Sequence, residues 1–187
     1  MHKLMLVDDE RNVLRALERV LAAEDRDIES YDSPEAALRR ARTTPFDLII
    51  SDYRMPGMDG VSLLREIKAV QPEAMRMILS AYADLEALLG AINEAEIFRF
   101  LGKPWQDYEL RATVAQALSY HDVLVKNRRL ADQVRAQAFR LRRQEAELAR
   151  LEREHPGITR VRWGPGGSIL LDEDEIAGGG ADELLRG

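Results

Sequence analysis

At 187 residues, 45% of them hydrophobic and 32% charged, the chain holds enough apolar material for one ordinary domain and a remainder, and it is too polar for a membrane protein. No apolar run approaches the roughly 20 residues that span a bilayer, and MHKLMLVDDE meets three acids before a signal-peptide core could form, so a cytoplasmic protein without membrane contact is expected. Zero cysteines exclude disulfides, thiol nucleophiles and thiolate zinc sites, and a net charge of −6 argues against nucleic acid as the main partner.

The first expected strand is KLMLV (3–7), followed at once by Asp8 and Asp9. A helix over 11–23 then places Val13, Leu14, Leu17, Val20 and Leu21 on one face. DIESY (27–31) is the second strand, and SPEAALRRAR opens a helix with Ser33 as N-cap and Pro34 at the first helical position. FDLII (46–50) is the third strand. It leads into DYRMPGMDG (52–60), where a carboxylate follows a segment built for burial and a proline and two glycines break the chain. VSLLREIKAV is helical, RMILS (76–80) is the fourth strand, DLEALLGAINEAE is helical, and IFRFL (97–101) is the fifth strand, followed by Lys103-Pro104. Five strands alternating with helices imply a parallel sheet covered on both faces. In such sheets sites form outside the carboxyl ends of the strands.

From about Gln106 the chain is helical, and near Tyr120 the pattern changes. With Tyr120, Asn127, Val134, Leu141 and Leu148 as heptad a positions, Val123, Leu130, Gln137, Gln144 and Leu151 fall at d, a weak repeat suited to a homodimeric coiled coil over 120–155. Asn127 would fix two-stranded register and Arg140 could pair with Glu145 of a partner helix, whereas Glu147 would meet Glu152 unfavourably. A single solvated helix is the simpler alternative, since arginine-rich and alanine-rich segments hold helix unaided. His155-Pro156-Gly157 stops the helix. ITRVRW and SILLDED then flank GPGG as a small β-hairpin, and EIAGGGADELLRG reads as a flexible acidic tail. Its GGGADE superficially matches a nucleotide cyclase signature, but no domain surrounds it and the segment is too short for its own core. The organisation expected is 1–119 as the sheet domain, 120–155 as a helical extension, and 156–187 as hairpin and tail.

The strand ends supply Asp8, Asp9, Asp52, Ser80 and Lys103. With the first strand central, the first, third and fourth strands are neighbours and their carboxyl ends share one rim. Three carboxylates there would raise one another's pKa unless a cation sits among them. Histidines 2, 121 and 155 are too scattered in the sequence to suggest a metal cluster or triad, so metal chemistry would run on oxygen ligands. Mg2+ suits a few carboxylates with waters and a phosphoryl oxygen. A hydroxyl and an ammonium beside the same carboxylate can bind the other oxygens of a phosphoryl group placed on it. Taken singly, each residue has a plainer reading: an Asp-Asp pair as a helix cap, a strand-end serine as a loop hydroxyl, Phe100 as core, Lys103 as surface.

Together, in this order and at these intervals, the acid pair, the single acid, MPGMDG, Ser80-Ala81 and Lys103-Pro104 make the segment resemble the receiver domain of two-component response regulators. The resemblance implies a flavodoxin-like (βα)5 doubly wound fold of strand order 2-1-3-4-5. It implies a phosphoaspartate at Asp52, formed by transfer from a sensor histidine kinase or phosphotransfer protein, and Mg2+ held by Asp8, Asp9, Asp52 and the backbone carbonyl of Arg54. Ser80 and Lys103 would bind the phosphoryl group, and Phe100, three residues before the lysine, would be the switch aromatic. Arg54 and Tyr82 lie at the site mouth, where they would hinder or position attacking water and lengthen phosphoryl lifetime.

ILSAYADLEALLGAINEAEIFRFLGKPW also resembles the receiver subtype joined to cyclic-di-nucleotide phosphodiesterase or transcriptional output domains, but neither output's signature appears in the chain. The function expected is therefore a phosphorylation-controlled switch without a separate catalytic domain, acting through dimerisation or an unidentified downstream protein. The alternative is a DNA-binding transcriptional regulator using the arginines at 128, 129, 135, 140, 142, 143, 150 and 153. Their spread around the helix and the acidic C-terminus count against it.

Overall fold

The computed structural model describes residues 1–81 and 95–156 together with short strands at 162–163 and 169–170. Tyr82, most of the expected helix over 84–96 and the acidic tail lie outside the described residues. The chain divides into two compact units, Met1–Leu130 and Ala131–Gly187.

In the first unit, β1 (His2–Val7), β2 (Arg26–Tyr31), β3 (Leu48–Asp52), β4 (Met75–Ala81) and β5 (Arg99–Lys103) form a parallel sheet in the order β2-β1-β3-β4-β5. This is the flavodoxin-like arrangement expected from the sequence. Side chains alternate across a strand, so Leu4, Leu6, Leu48, Ile50, Met77 and Leu79 join one buried cluster and Met5, Val7, Ile49 and Ile78 the other. The helix α1 (Arg11–Leu21) covers the first cluster with Leu14, Leu17, Val20 and Leu21. On the opposite face α2 (Pro34–Ala41) and α3 (Gly60–Val70) supply Ala37, Ala41, Leu63, Leu64 and Ile67. Burial on both faces explains why the inner strands read as nearly continuous apolar runs. β2 pairs only with β1 and is half-buried throughout, which fits its charged, edge-type sequence.

Two strands sit later than their apolar runs suggest. β3 begins at Leu48 because its ladder is fixed by β1, Leu4 lying beside Leu48 and Val7 beside Ser51. Phe46 is buried ahead of the strand, and the Asp47 N–H donates to the Lys3 carbonyl at 2.8 Å. β5 likewise begins at Arg99, with Ile97 buried before it. Hydrophobicity locates what is buried, whereas ladder hydrogen bonds define the strand. Arg76, a cation inside an apolar strand, is buried because carbonyls accept its protons: Nε donates to Ala95 O at 2.8 Å and Nη1 to Ala74 O at 2.6 Å.

The helix α4 (Asp107–Glu154) has 48 residues, about 72 Å at 1.5 Å per residue. Leu110, Thr113, Val114, Ala117, Leu118 and His121 form its buried stripe. In the second unit most of its apolar side chains are exposed, including Val134 at 64%, Leu141 at 58% and Leu148 at 51%, while Leu151 is half-buried. Beyond it β6 (Arg162–Trp163) pairs antiparallel with β7 (Ile169–Leu170), on the two arms of the expected hairpin.

The turn from β3 into α3 depends on two glycines. Gly57 has φ +82°, a conformation L side chains rarely adopt, and Gly60 lies so close to the preceding strand that a Cβ there would stand 2.0 Å from the Asp52 carbonyl oxygen. The Gly60 N–H donates to Tyr53 O at 2.9 Å, and the Asp59 side chain caps α3 by accepting from the Ser62 N–H at 2.8 Å. Alanine in place of glycine gains at most about 1 kcal/mol of helix propensity, whereas an overlap this deep forces the backbone apart. Gly60→Ala is therefore expected to destabilise the chain by about 3 kcal/mol or more, measured by urea unfolding; a loss under about 1 kcal/mol would show that the turn is free to shift.

Candidate functional site

The carboxyl rim of the sheet gathers the polar residues that the strand-end spacing singles out. β1 ends at Val7 and delivers Asp8, whose side chain is fully buried; Asp52 is the last residue of β3 rather than the first beyond it, and is buried too. The parallel ladder carries β3 and β4 side by side as far as Asp52 and Leu79, which puts Ser80 one step further along the rim. β4 pairs with β5 so that Ser80 lies beside Gly102 and Ala81 beside Lys103.

The Lys103 ammonium is shared between two carboxylates. Nζ donates to Asp8 Oδ2 at 2.7 Å and also ion-pairs with Asp52 Oδ1. Each carboxylate uses its other oxygen on a backbone donor: the Glu10 N–H donates to Asp8 Oδ1 at 2.9 Å, and the Arg54 N–H donates to Asp52 Oδ2 at 2.8 Å. Burial is the main influence on Asp8 and pushes its carboxyl up against the opposing pull of Lys103 and the Glu10 amide. Burial works to lower the Lys103 ammonium, but its hydrogen bonds to Asp52 and Asp8 outweigh that and the net displacement is upward. Asp8 and Asp52 thus share one cation in a largely buried setting.

Asp9 is exposed beside Asp8, and Arg54 is exposed after β3. Ser80 is buried, and its Oγ donates to the Ala81 carbonyl at 3.1 Å. Phe100 is half-buried and packs against the cluster under α2 and α3. The rim thus brings Asp8, Asp52 and Lys103 into direct contact, with Ser80 on the adjoining strand. Its protein donors are all oxygens, which suits a hard divalent ion. Asp8, Asp9, Asp52 and the Arg54 carbonyl are the groups that could hold one.

The sequence did not reveal the two backbone amides from Glu10 and Arg54 that complete the carboxylates, because their partners depend on how the chain turns after β1 and β3. Nor did it reveal the reason for Gly60, the approach of α3 to the Asp52 carbonyl. It also separated three groups that the fold brings together on the opposite rim: ligand atoms of His2, Asp47 and His121 all lie within 4.8 Å of one another. The apparent scatter of the histidines is corrected for this pair, since His2 opens β1 and His121 lies on the α4 turn packed beside it. Among the described residues no helix is long and apolar enough to cross a membrane.

Comparison with known proteins agrees with this arrangement. The sequence pattern of the response regulator receiver domain matches residues 4–115. The hydrogenase transcriptional regulatory protein HoxA of Cupriavidus necator is 32% identical over 168 residues, which cover 89% of this chain and 34% of that protein. The DNA-binding transcriptional regulator NtrC of Escherichia coli K12 is 34% identical over 116 residues, 62% of this chain and 24% of its own. The chain thus spans about a third or less of these curated relatives. Among solved structures, the signal receiver domain of an HD domain-containing protein from Pseudomonas fluorescens Pf-5 superposes with a TM-score of 0.63 at 33% identity, covering 67% of this chain and 92% of that one. With the family pattern spanning more than half of the chain and the strand order of its fold in place, the chain belongs to the receiver-domain family of two-component response regulators.

Proposed function

We propose that the chain is a phosphorylation-controlled signalling switch in which Asp52 accepts a phosphoryl group from a sensor histidine kinase or phosphotransfer protein in the cytoplasm. The observation that supports this most directly is the Lys103 ammonium held between the buried carboxylates of Asp8 and Asp52. An Asp52 carboxylate oxygen attacks phosphorus in line, its O–P bond forming as the P–N bond to the donor histidine breaks. Asp8, Asp9, Asp52 and the Arg54 carbonyl would hold Mg2+, which when bound would neutralise charge on the transferring group. Lys103 binds a phosphoryl oxygen from its position against Asp52, and Ser80 exchanges its contact with the Ala81 carbonyl for another phosphoryl oxygen. The inward move of Ser80 leaves space into which Phe100 rotates; lacking a hydroxyl, Phe100 is held inward by packing alone. The chain acts as a phosphoryl acceptor and needs no separate catalytic domain.

Output in this reading runs through α4. Its exposed side chains include Tyr120, Val123, Leu130, Val134, Leu141 and Leu148, six of the seven apolar positions of the heptad seam, and burying them takes a second helix. Within one helix Arg150 pairs with Glu147 at 2.8 Å, which reduces the repulsion that Glu147 would meet across a dimer. Arg135 pairs with Asp132, and Arg150 with Glu147 and Glu154, so DNA is not part of this reading, and the names of HoxA and NtrC describe much longer proteins. Phosphorylation needs to change the relative free energy of two helix arrangements by only a few kcal/mol.

Incubation with a small-molecule phosphoryl donor and Mg2+ is expected to raise the intact mass by one phosphoryl group, with loss of the adduct in Asp52→Asn and at least about tenfold slower labelling in Lys103→Ala. Labelling of Asp52→Asn at the wild-type rate would exclude Asp52 as the acceptor. Arg54→Ala is expected to shorten the adduct's half-time several-fold by opening the site mouth to water; a several-fold longer half-time would reverse the role given to Arg54. Tyr82 has the same proposed role on sequence grounds. Light scattering on the full chain with Mg2+ and beryllofluoride is expected to give twice the monomer mass, falling to one chain in Val134→Glu/Leu141→Glu; a monomeric wild type in every state would remove the coiled coil.

A further inference from the structure

A second polar cluster lies at the other end of the sheet, built from residues that the acceptor site does not use. His2 opens β1, Asp47 immediately precedes β3, and His121 closes the buried stripe of α4. Asp47 Oδ2 stands 3.6 Å from His2 Nδ1, and its Oδ1 stands 3.5 Å from His121 Nε2. Ordinary hydrogen bonds of this type measure about 2.7–3.2 Å, so both separations are long for direct bonding. A zinc ion with bonds of about 2.0–2.2 Å holds a ligating nitrogen and oxygen about 3.3–3.6 Å apart, and here the two imidazoles approach the carboxylate through different oxygens. The ligand atoms of all three residues lie within 4.8 Å of one another.

The remaining nitrogen of each ring faces a second carboxylate. Asp122 Oδ2 is 3.6 Å from His2 Nε2, and Asp122 Oδ1 is 3.7 Å from His121 Nδ1. Carboxylates placed behind metal-bound imidazoles fix their tautomer and raise their basicity, and one side chain here addresses both rings. His121 is 8% exposed and its Nδ1 has no hydrogen-bond partner, so a buried polar atom awaits an arrangement in which the imidazole is fully used. Asp47 is positioned before any ion arrives: the Lys3 N–H donates to its Oδ2 at 2.7 Å, its own N–H donates to Lys3 O, and its carbonyl accepts from the Met75 N–H at 2.8 Å. The cluster borders an open cleft of about 720 Å³ that also reaches Val125, Lys126 and Arg129, giving an ion a route from solvent.

We propose that His2, Asp47 and His121 bind a divalent transition-metal ion of the zinc class, with Asp122 orienting both imidazoles and the fourth coordination position open to the cleft. Two imidazoles and a carboxylate select such an ion over Mg2+, which prefers oxygen donors. The site is separate from the acceptor rim at the opposite ends of the same strands. A bound ion joins the beginnings of β1 and β3 to α4.

Equilibrium dialysis of the untagged full chain against low micromolar zinc, with millimolar Mg2+ present, is expected to find one ion per chain. His2→Ala and Asp47→Asn should each weaken binding at least about tenfold while retaining the wild-type circular dichroism spectrum, and Asp122→Asn should weaken it less. Zinc should raise the melting temperature of the wild type and leave that of His2→Ala unchanged. Asp52→Asn and His155→Ala should bind as the wild type does, which distinguishes this site from the acceptor rim and from the remaining histidine. Absence of a stoichiometric ion in the wild type, undiminished binding in a correctly folded His2→Ala, or loss of binding in Asp52→Asn would each overturn the proposal.

Discussion

Two buried carboxylates at the ends of different strands are held around one ammonium, and several of the fold's particular features serve that contact. Removing one partner from a buried, hydrogen-bonded ion pair commonly costs about 3–5 kcal/mol, because an uncompensated charge is left behind. Asp8 and Asp52 can share Lys103 only because β1 and β3 are neighbours and β5 lies one strand beyond β4. Another strand order would separate the acids or send the lysine to a different edge. The glycines and the cap at Asp59 matter for the same reason, since they turn the chain away from Asp52 and leave its side chain at the rim.

Much of this was legible in the sequence because it rests on short-range patterns. The short, nearly continuous apolar runs KLMLV and FDLII identify strands, Ser33-Pro34 marks the beginning of α2, and the acids after apolar runs mark the rim. Register was less legible: β3 and β5 each begin later than their apolar runs because a neighbouring strand determines where pairing starts. Backbone donors were not legible at all. The Glu10 and Arg54 amides complete the two carboxylates, and an amide carries no sequence signal of its own. His2 and His121 escaped for a related reason, since only the packing of α4 beside the start of β1 gives them a common neighbour in Asp47.

The helix α4 combines two kinds of surface in one continuous element. Its early turns bury Leu110, Val114, Ala117 and Leu118 at the spacing of a core helix, whereas Val134, Leu141 and Leu148 further along are exposed apolar side chains. His121 lies at the end of the buried stripe, where the first kind of surface gives way to the second.

β1 also carries the two polar rims at its ends, with His2 at one and Asp8 just beyond the other. Six residues of strand hold them about 20 Å apart. At that distance two unit charges interact by only about 0.8 kcal/mol for an effective dielectric constant of 20, and salt reduces this further. Distance and solvent, rather than the apolar strand between them, therefore keep the charges of the two rims nearly independent. A change made at one rim reaches the other chiefly as displacement of the strands and helices that join them.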